Sequence, residues 1–351
     1  MTKDLDTEVL VVDPNRPEPR AIERAAAVLR AGGLVAVPTE TVYGLAADAR
    51  SDAALGRIFE AKGRPEDNPL IVHVADAAGA RSVTRQWPEV AERLAARFWP
   101  GPLTLILPRH PSVPRRVSAG LDTVAVRAPA HPVMSALIRA VGPLAAPSAN
   151  RSMSISPTSA AHVLQSLGGR VELILDAGPT SVGIESTVLS LVHDPPRILR
   201  PGSVSRGDLA AVVGAVDAVD DGDDGDDGDD GDIDGESRAD RRSPRLSPGT
   251  STRHYAPEAD VIVIPRGDAV ALQAALRVRD DGEHAGALLH TLESPAGAAS
   301  EMLPDDPRGY AAGLYAALHA LDARCRRIII EAVPETEPWA AVRDRLKRAS
   351  A

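Results

Sequence analysis

Lys62 to Val74 reads KGRPEDNPLIVHV. Ahead of it, Asp52 to Ala61 repeats apolar residues at helical spacing, and behind its polar turn Leu70 to Val74 is a Val/Ile/Leu run that opens after Pro69. A helix, a charged turn and a buried strand therefore follow one another within about two dozen residues, which is the step of an α/β fold. The same step repeats outward. Gly33 to Val37, Leu103 to Leu107, Thr123 to Val126, Leu173 to Leu175, Thr187 to Val192 and Arg197 to Leu199 read as strands. Ile22 to Arg30, Pro88 to Phe98, Pro132 to Val141 and Pro157 to Leu167 read as helices. Alternating and continuous apolar strands occur together, and several strands follow in succession near Asp176 to Arg200, so the expected sheet is mixed.

The chain has 351 residues, of which 44% are hydrophobic, 25% charged and 3% aromatic, enough for two cores. Its net charge of -10 resides in one run: Asp220, Asp221, Asp223, Asp224, Asp226, Asp227, Asp229, Asp230, Asp232 and Asp234. The rest is neutral overall, which argues against bulk attraction to nucleic acid or membrane. We expect residues 1–213 to form the first domain, 214–257 an acidic low-complexity linker, and 258–351 a smaller α/β domain. In that last part Val261 to Ile264, Ala285 to His290 and Ile328 to Val333 read as strands, and Arg308 to Ala323 and Trp339 to Ala349 as helices. Asp230, Asp232, Asp234 and Gly235 begin a calcium-loop pattern that fails at its twelfth position, Arg241. Cys325, the single cysteine, rules out an internal disulfide and a cysteine zinc site, and reads as packing. The acidic N-terminus lacks signal-peptide character, and no apolar window approaches a membrane span, so the expected location is cytoplasmic.

Five polar segments sit beside strand ends: PTETVYGLA (Pro38 to Ala46), KGRPEDNPLIVH (Lys62 to His73), DTVAVRAP (Asp122 to Pro129), APSANRSMSISPT (Ala146 to Thr158) and GIESTV (Gly183 to Val188). Each alone has an ordinary explanation in capping, turns or solvated charge. Together, Lys62, Arg64, Arg127 and Arg200 stand near hydroxyls and Asn68, the inventory for holding a polyphosphate without a Walker loop. Ser148, Asn150, Ser152, Ser154 and Ser156 add donors suited to phosphate and ribose oxygens, or to capping a helix near Pro157.

KGRPEDNPLIVHV, FWPGPLTLIL (Phe98 to Leu107), TVAVRAP, PSAN, GIESTV and ILRPGSVS (Ile198 to Ser205) resemble, in order and spacing, the YrdC-like threonylcarbamoyl-adenylate synthase family. SPGTSTRHYAPEA (Ser247 to Ala259) is similar to the linker motif of its long, two-domain members. The resemblance implies a curved mixed sheet around a positively lined cavity, a Rossmann-like second domain, and a linker that can lie over the cavity. It implies condensation of L-threonine, bicarbonate or CO2 and ATP into threonylcarbamoyl-adenylate and pyrophosphate, with a separate transferase complex carrying the group to tRNA. By position, Thr41, His73, Arg127, Ala146 and Ser186 fall at the threonine site. Lys62, Arg64, Asn68, Thr123, Ser148, Ser156, Arg200 and Tyr255 fall at the ATP site. Magnesium would arrive on the ATP phosphates, without a protein-built cage, since Mg²⁺ commonly keeps waters and substrate oxygens as ligands.

Several readings stay open at this level. Glu40 and Glu185 are metal candidates or orient neighbouring cations; His73 is a site residue or a hydrogen-bonded core histidine; Tyr255 reaches the nucleotide or anchors the linker, with Arg253 and His254 beside it. Met153 stands where the family commonly has Gly, and Thr250 and Thr252 replace the usual Met and aromatic. Two other functions attach to such cavities. Double-stranded RNA binding is disfavoured by the neutral folded part and few aromatics. Carbamoyl transfer for metallocentre maturation needs a zinc finger that one cysteine cannot build.

Overall fold

The computed structural model describes residues 5–218, 247, 249, 253–277 and 284–351. The acidic run, the partial calcium-loop pattern and the Thr250 and Thr252 positions lie outside them.

The first part of the chain contributes β1 (Glu8–Val11), α1 (Pro19–Arg30), β2 (Val35–Val37), β3 (Gly44–Asp48), α2 (Asp52–Lys62), β4 (Ile71–His73), α3 (Ala77–Val83), α4 (Glu89–Phe98), β5 (Leu103–Pro108), β6 (Thr123–Arg127), α5 (Pro132–Val141) and β7 (Leu144–Ala145). It continues with α6 (Ala160–Leu167), β8 (Leu173–Asp176), β9 (Thr187–Ser190), β10 (Arg197–Arg200), α7 (Arg206–Val213) and β11 (Asp217–Ala218). These strands form one mixed sheet in the order β1-β8-β2-β3-β7-β4-β6-β5-β9-β10-β11.

Local chemistry sets the ends that matter. Ser51 caps α2 by accepting from the Ala54 amide, and Gly63 closes the helix in the left-handed region at φ 60. That turn aims Arg64 inward. α6 begins at Ala160, capped by Ser159, rather than at Pro157, whose carbonyl is taken by the Tyr43 amide.

Strand alternation decides what faces the site. β4 and β6 run parallel with Ile71 opposite Ala125 and His73 opposite Arg127. Val72, Val124 and Val126 point to the core packed by α2 and α6, so Ile71, His73, Ala125 and Arg127 point the other way. On that second face Ile71, Ala125, Ile106 and Val188 form a small apolar floor. Two further cores lie under α1 and α5 and under α4 and α7.

The C-terminal part contains β12 (Asp260–Ile264), α8 (Ala269–Leu276), β13 (Ala285–Leu289), β14 (Ala299–Met302), α9 (Pro307–Asp322), β15 (Arg327–Glu331) and α10 (Ala340–Ala349). Its four strands are all parallel, in the order β12-β15-β13-β14. Cys325 is buried, in keeping with packing. No described helix is long and apolar enough to cross a membrane.

The two parts share a core. Val42, Ile155 and Ile184 from the first cluster with Tyr255, Tyr310, Leu314 and Tyr315. The approach is close at Gly183, φ 80, where an added Cβ would lie 2.3 Å from the Ala311 carbonyl of α9, so a side chain there would push the helix away.

Candidate functional site

One cavity lies over the second face of the sheet. Thr39, Thr41, Val42, Gly44, Ile71, His73, Arg127, Ala146, Pro147 and Ser148 line it from the sheet and the turn before β3. Arg64, Glu185, Ser186, Arg200, Gly249, His254 and Tyr255 close the other side. Its volume is about 50 Å³, room for a few waters at about 10–15 Å³ each.

Arg127 centres the first half. Its Nη1 donates to Thr41 Oγ1 at 3.0 Å, its Nε to the Gly101 carbonyl at 3.1 Å, and its Nη2 lies 2.7 Å from Glu40 Oε1. Thr41 Oγ1 is also 2.8 Å from Thr39 Oγ1, which braces the turn. His73, beside Arg127 in the ladder, has its pKa lowered to about 3 by burial and by the guanidinium, so it is neutral at physiological pH. Among the described residues nothing hydrogen-bonds to its Nδ1. Ser186 Oγ is 2.7 Å from Thr104 Oγ1 and accepts from Arg200 Nη2 at 3.2 Å.

The cationic half follows from the Gly63 turn. Arg64 donates to Asn68 Oδ1 at 2.5 Å and to the Pro69 carbonyl at 2.7 Å. Buried Lys62 donates from Nζ to the carbonyls of Ser148 at 2.6 Å and Asn150. Burial and then Arg64 pull its pKa down, while those oxygens hold its protons in place. Arg200 donates to the Ser186 carbonyl at 3.0 Å.

Thr41, His73, Arg127, Ala146, Ser186, Arg64, Ser148, Arg200 and Tyr255 therefore line one cavity. Lys62, Asn68 and Ser156 stand directly behind it, holding Ser148, Arg64 and Glu185 respectively. Thr123 is set apart: it opens β6, paired with Pro108 of β5, and does not line the cavity.

Both glutamates are engaged with cations. Glu40 pairs with Arg127. Glu185 accepts from Ser156 Oγ at 2.6 Å, Tyr315 Oη at 2.9 Å and Arg345 Nε at 2.8 Å. Burial would raise its pKa, but Arg345 and Arg200 outweigh that and hold it at about 2. Among the described residues no three His, Cys, Asp or Glu cluster as metal ligands.

Tyr255 serves as an anchor and also faces the cavity. Its backbone is left-handed at φ 59, its ring lies 5.0 Å from the Arg345 guanidinium and 5.8 Å from the Tyr315 ring, and it is 1% exposed. Its hydroxyl has no hydrogen-bond partner among the described residues. His254 packs on it at 4.0 Å. Sequence reading missed Thr39, Thr104, Tyr315 and Arg345. Thr39 and Thr104 carried a signal, lying within the quoted segments PTETVYGLA and FWPGPLTLIL. The last two sit on helices whose pattern marks them only as ordinary amphipathic positions.

Residues 27–202 match the Sua5, YciO and YrdC family model described as telomere recombination, and residues 204–351 match threonylcarbamoyl-AMP synthase, C-terminal domain. A threonylcarbamoyl-AMP synthase of Bacillus subtilis is 42% identical, covering 99% of this chain and 96% of its own length. One from Pyrococcus abyssi is also 42% identical, over 95% of each. The structure of P. abyssi Sua5 complexed with L-threonine superposes with a TM-score of 0.86 at 40% identity, covering 97% of both chains.

Proposed function

The chain belongs to the threonylcarbamoyl-AMP synthase family, and we propose that it is a nucleotidyltransferase that condenses L-threonine, bicarbonate or CO2 and ATP into threonylcarbamoyl-adenylate and pyrophosphate. What supports this most is the convergence of Thr41, His73, Arg127, Ala146 and Ser186 beside the cations Arg64 and Arg200 around one cavity.

Arg127 takes the threonine carboxylate. Its Nη1 keeps a second proton beyond the one donated to Thr41, its Nη2 makes no hydrogen bond among the described residues although it is ion-paired with Glu40, and a planar fork matches two carboxylate oxygens. Neutral His73 offers Nδ1 to the amino acid as a hydrogen-bond partner, not as a base. The Thr41 and Ser186 hydroxyls flank the same space.

The threonine amine and bicarbonate give a carbamate with loss of water. A carbamate oxygen then forms a bond to the α-phosphorus as the bond to pyrophosphate breaks. Both steps depend on position and charge neutralisation more than on proton abstraction. Lys62, Arg64 and Arg200 supply the positive charge, with Asn68, Thr123, Ser148, Ser156 and Tyr255 assigned to the nucleotide. Magnesium, when it arrives on ATP, would supply further neutralisation of the phosphates. The donor set fits a metal that arrives with ATP, because Glu40 and Glu185 are both committed to guanidiniums. A tRNA threonylcarbamoyl transferase complex then consumes the adenylate.

The test is pyrophosphate release from ATP with magnesium, in a complete mixture and in mixtures lacking threonine or bicarbonate and CO2. Release that needs both supports the reading, and release independent of threonine overturns it.

A further inference from the structure

α10 brings Arg345 into the interior at the junction of the two parts, and its side chain is 0% exposed. Its neighbours come from three separated segments. Nε donates to Glu185 in GIESTV, Nη2 donates to the Pro201 carbonyl at 3.1 Å in ILRPGSVS, and the guanidinium lies 5.0 Å from the Tyr255 ring in the linker motif. Asp344 pairs with Nη1 and completes its set.

Stability does not account for this arrangement. Burying a carboxylate and a guanidinium costs several kcal/mol per ion, and well-packed apolar side chains of similar volume commonly do as well or better. A guanidinium adds direction: several protons in one plane fix several partners at once, and its face holds an aromatic ring. The partners lead into the cavity. Glu185 passes its orientation to Ser156 through a 2.6 Å bond and holds its charge beside Arg200, while Tyr315 of α9 supports the same carboxylate.

We propose that Arg345 is a positioning residue for the nucleotide side of the cavity: through Glu185 it sets Ser156 and Arg200, and through its face it sets Tyr255. This role rests on the adenylation reading above. It makes the C-terminal part a component of the site, because without α10 the Glu185 carboxylate would be buried without its guanidinium partner. No part of the role asks Arg345 to touch substrate.

The experiment compares the full chain with Arg345→Met, Arg345→Lys and the Glu185→Gln/Arg345→Met double variant. It measures equilibrium binding of ATP with magnesium, binding of L-threonine, thermal unfolding and pyrophosphate release. Arg345→Met is expected to weaken ATP binding by about tenfold or more and threonine binding by less than about twofold, with part of the loss restored in Arg345→Lys. The double variant removes the stranded carboxylate, so its Tm should recover while its ATP affinity stays low. If Arg345→Met does not fold, the double variant decides. Unchanged ATP affinity in a folded variant overturns the positioning role and leaves the adenylation reading standing. Wild-type protein that binds neither ATP nor threonine overturns both.

Discussion

Glu40 and Arg127 stand 2.7 Å apart with side chains 10% and 3% exposed, the acid on the turn before β3 and the guanidinium at the end of β6. The pair holds the fork rigid before a ligand arrives. Arg127→Ala is therefore expected to raise the threonine KM by roughly 10- to 100-fold, the scale of a charge-assisted bidentate contact of about 1.5–3 kcal/mol, with a smaller change for ATP. Glu40→Gln should raise the threonine KM less, because the fork remains and only its brace weakens. Steady-state kinetics with each substrate varied checks both; equal loss for ATP and threonine would remove Arg127 from the threonine side.

Tyr255 separates two contributions by two substitutions. Its hydroxyl has no partner among the described residues, so Tyr255→Phe should leave stability within about 0.5 kcal/mol while raising the ATP KM severalfold. Tyr255→Ala also removes a ring from the core shared by both parts, and is expected to cost about 3–5 kcal/mol. Denaturant unfolding and ATP kinetics on the same preparations give the answer. A normal ATP KM in Tyr255→Phe would make the residue an anchor only.

Much of this was legible in the residue pattern, and the failures have physical causes. The alternation Ile71, Val72, His73 beside Ala125, Val126, Arg127 displays the site face directly, because a strand has a fixed period of two. Helices α2, α4 and α5 follow their apolar spacing to within a residue or two. β3 has no strand signature in the sequence because Gly44, Ala46 and Ala47 are not β-branched; small residues are what let its neighbours approach. Thr123 could be numbered by resemblance but not located, since its place depends on the register between β5 and β6. Arg345 was invisible for a stronger reason. On an amphipathic helix an arginine reads as solvated, and its burial depends on a carboxylate 160 residues away.

Met153 is a departure whose cost the backbone makes visible. It sits at φ 71 and is 46% exposed, while its carbonyl accepts from the Ala256 amide at 3.0 Å. A non-glycine residue pays about 1–2 kcal/mol in that region, and glycine returns part of this through greater freedom when unfolded. Met153→Gly should therefore stabilise the protein by about 0.5–1 kcal/mol, read as a higher denaturant midpoint at unchanged m-value. A lower midpoint would mean that the methionine side chain makes a compensating contact.

His162 of α6 and His319 of α9 stack at 3.9 Å across the junction of the two parts, and this makes their docking sensitive to acid. His319 donates from Nε2 to the Ser156 carbonyl, and His162 Nδ1 accepts from the Thr158 amide. Burial, then the neighbouring imidazole, lowers the His162 pKa from 6.5 to about 4; burial also lowers that of His319. A folded state with depressed imidazole pKa values binds fewer protons than the unfolded chain between these limits. Stability is thus intact above about pH 6.5 and falls as pH drops toward 4. His73 and His254, both lowered to about 3, add to the same slope, whereas Glu185 loses its contribution only between 4.5 and about 2. The expected result is a Tm that is level from pH 7.5 to about pH 6.5 and falls from there to pH 5, with a shallower fall in the His162→Phe/His319→Phe double variant. A Tm flat across that range in the wild type would show that these imidazoles accept protons without cost, which their stacking at the junction should not permit.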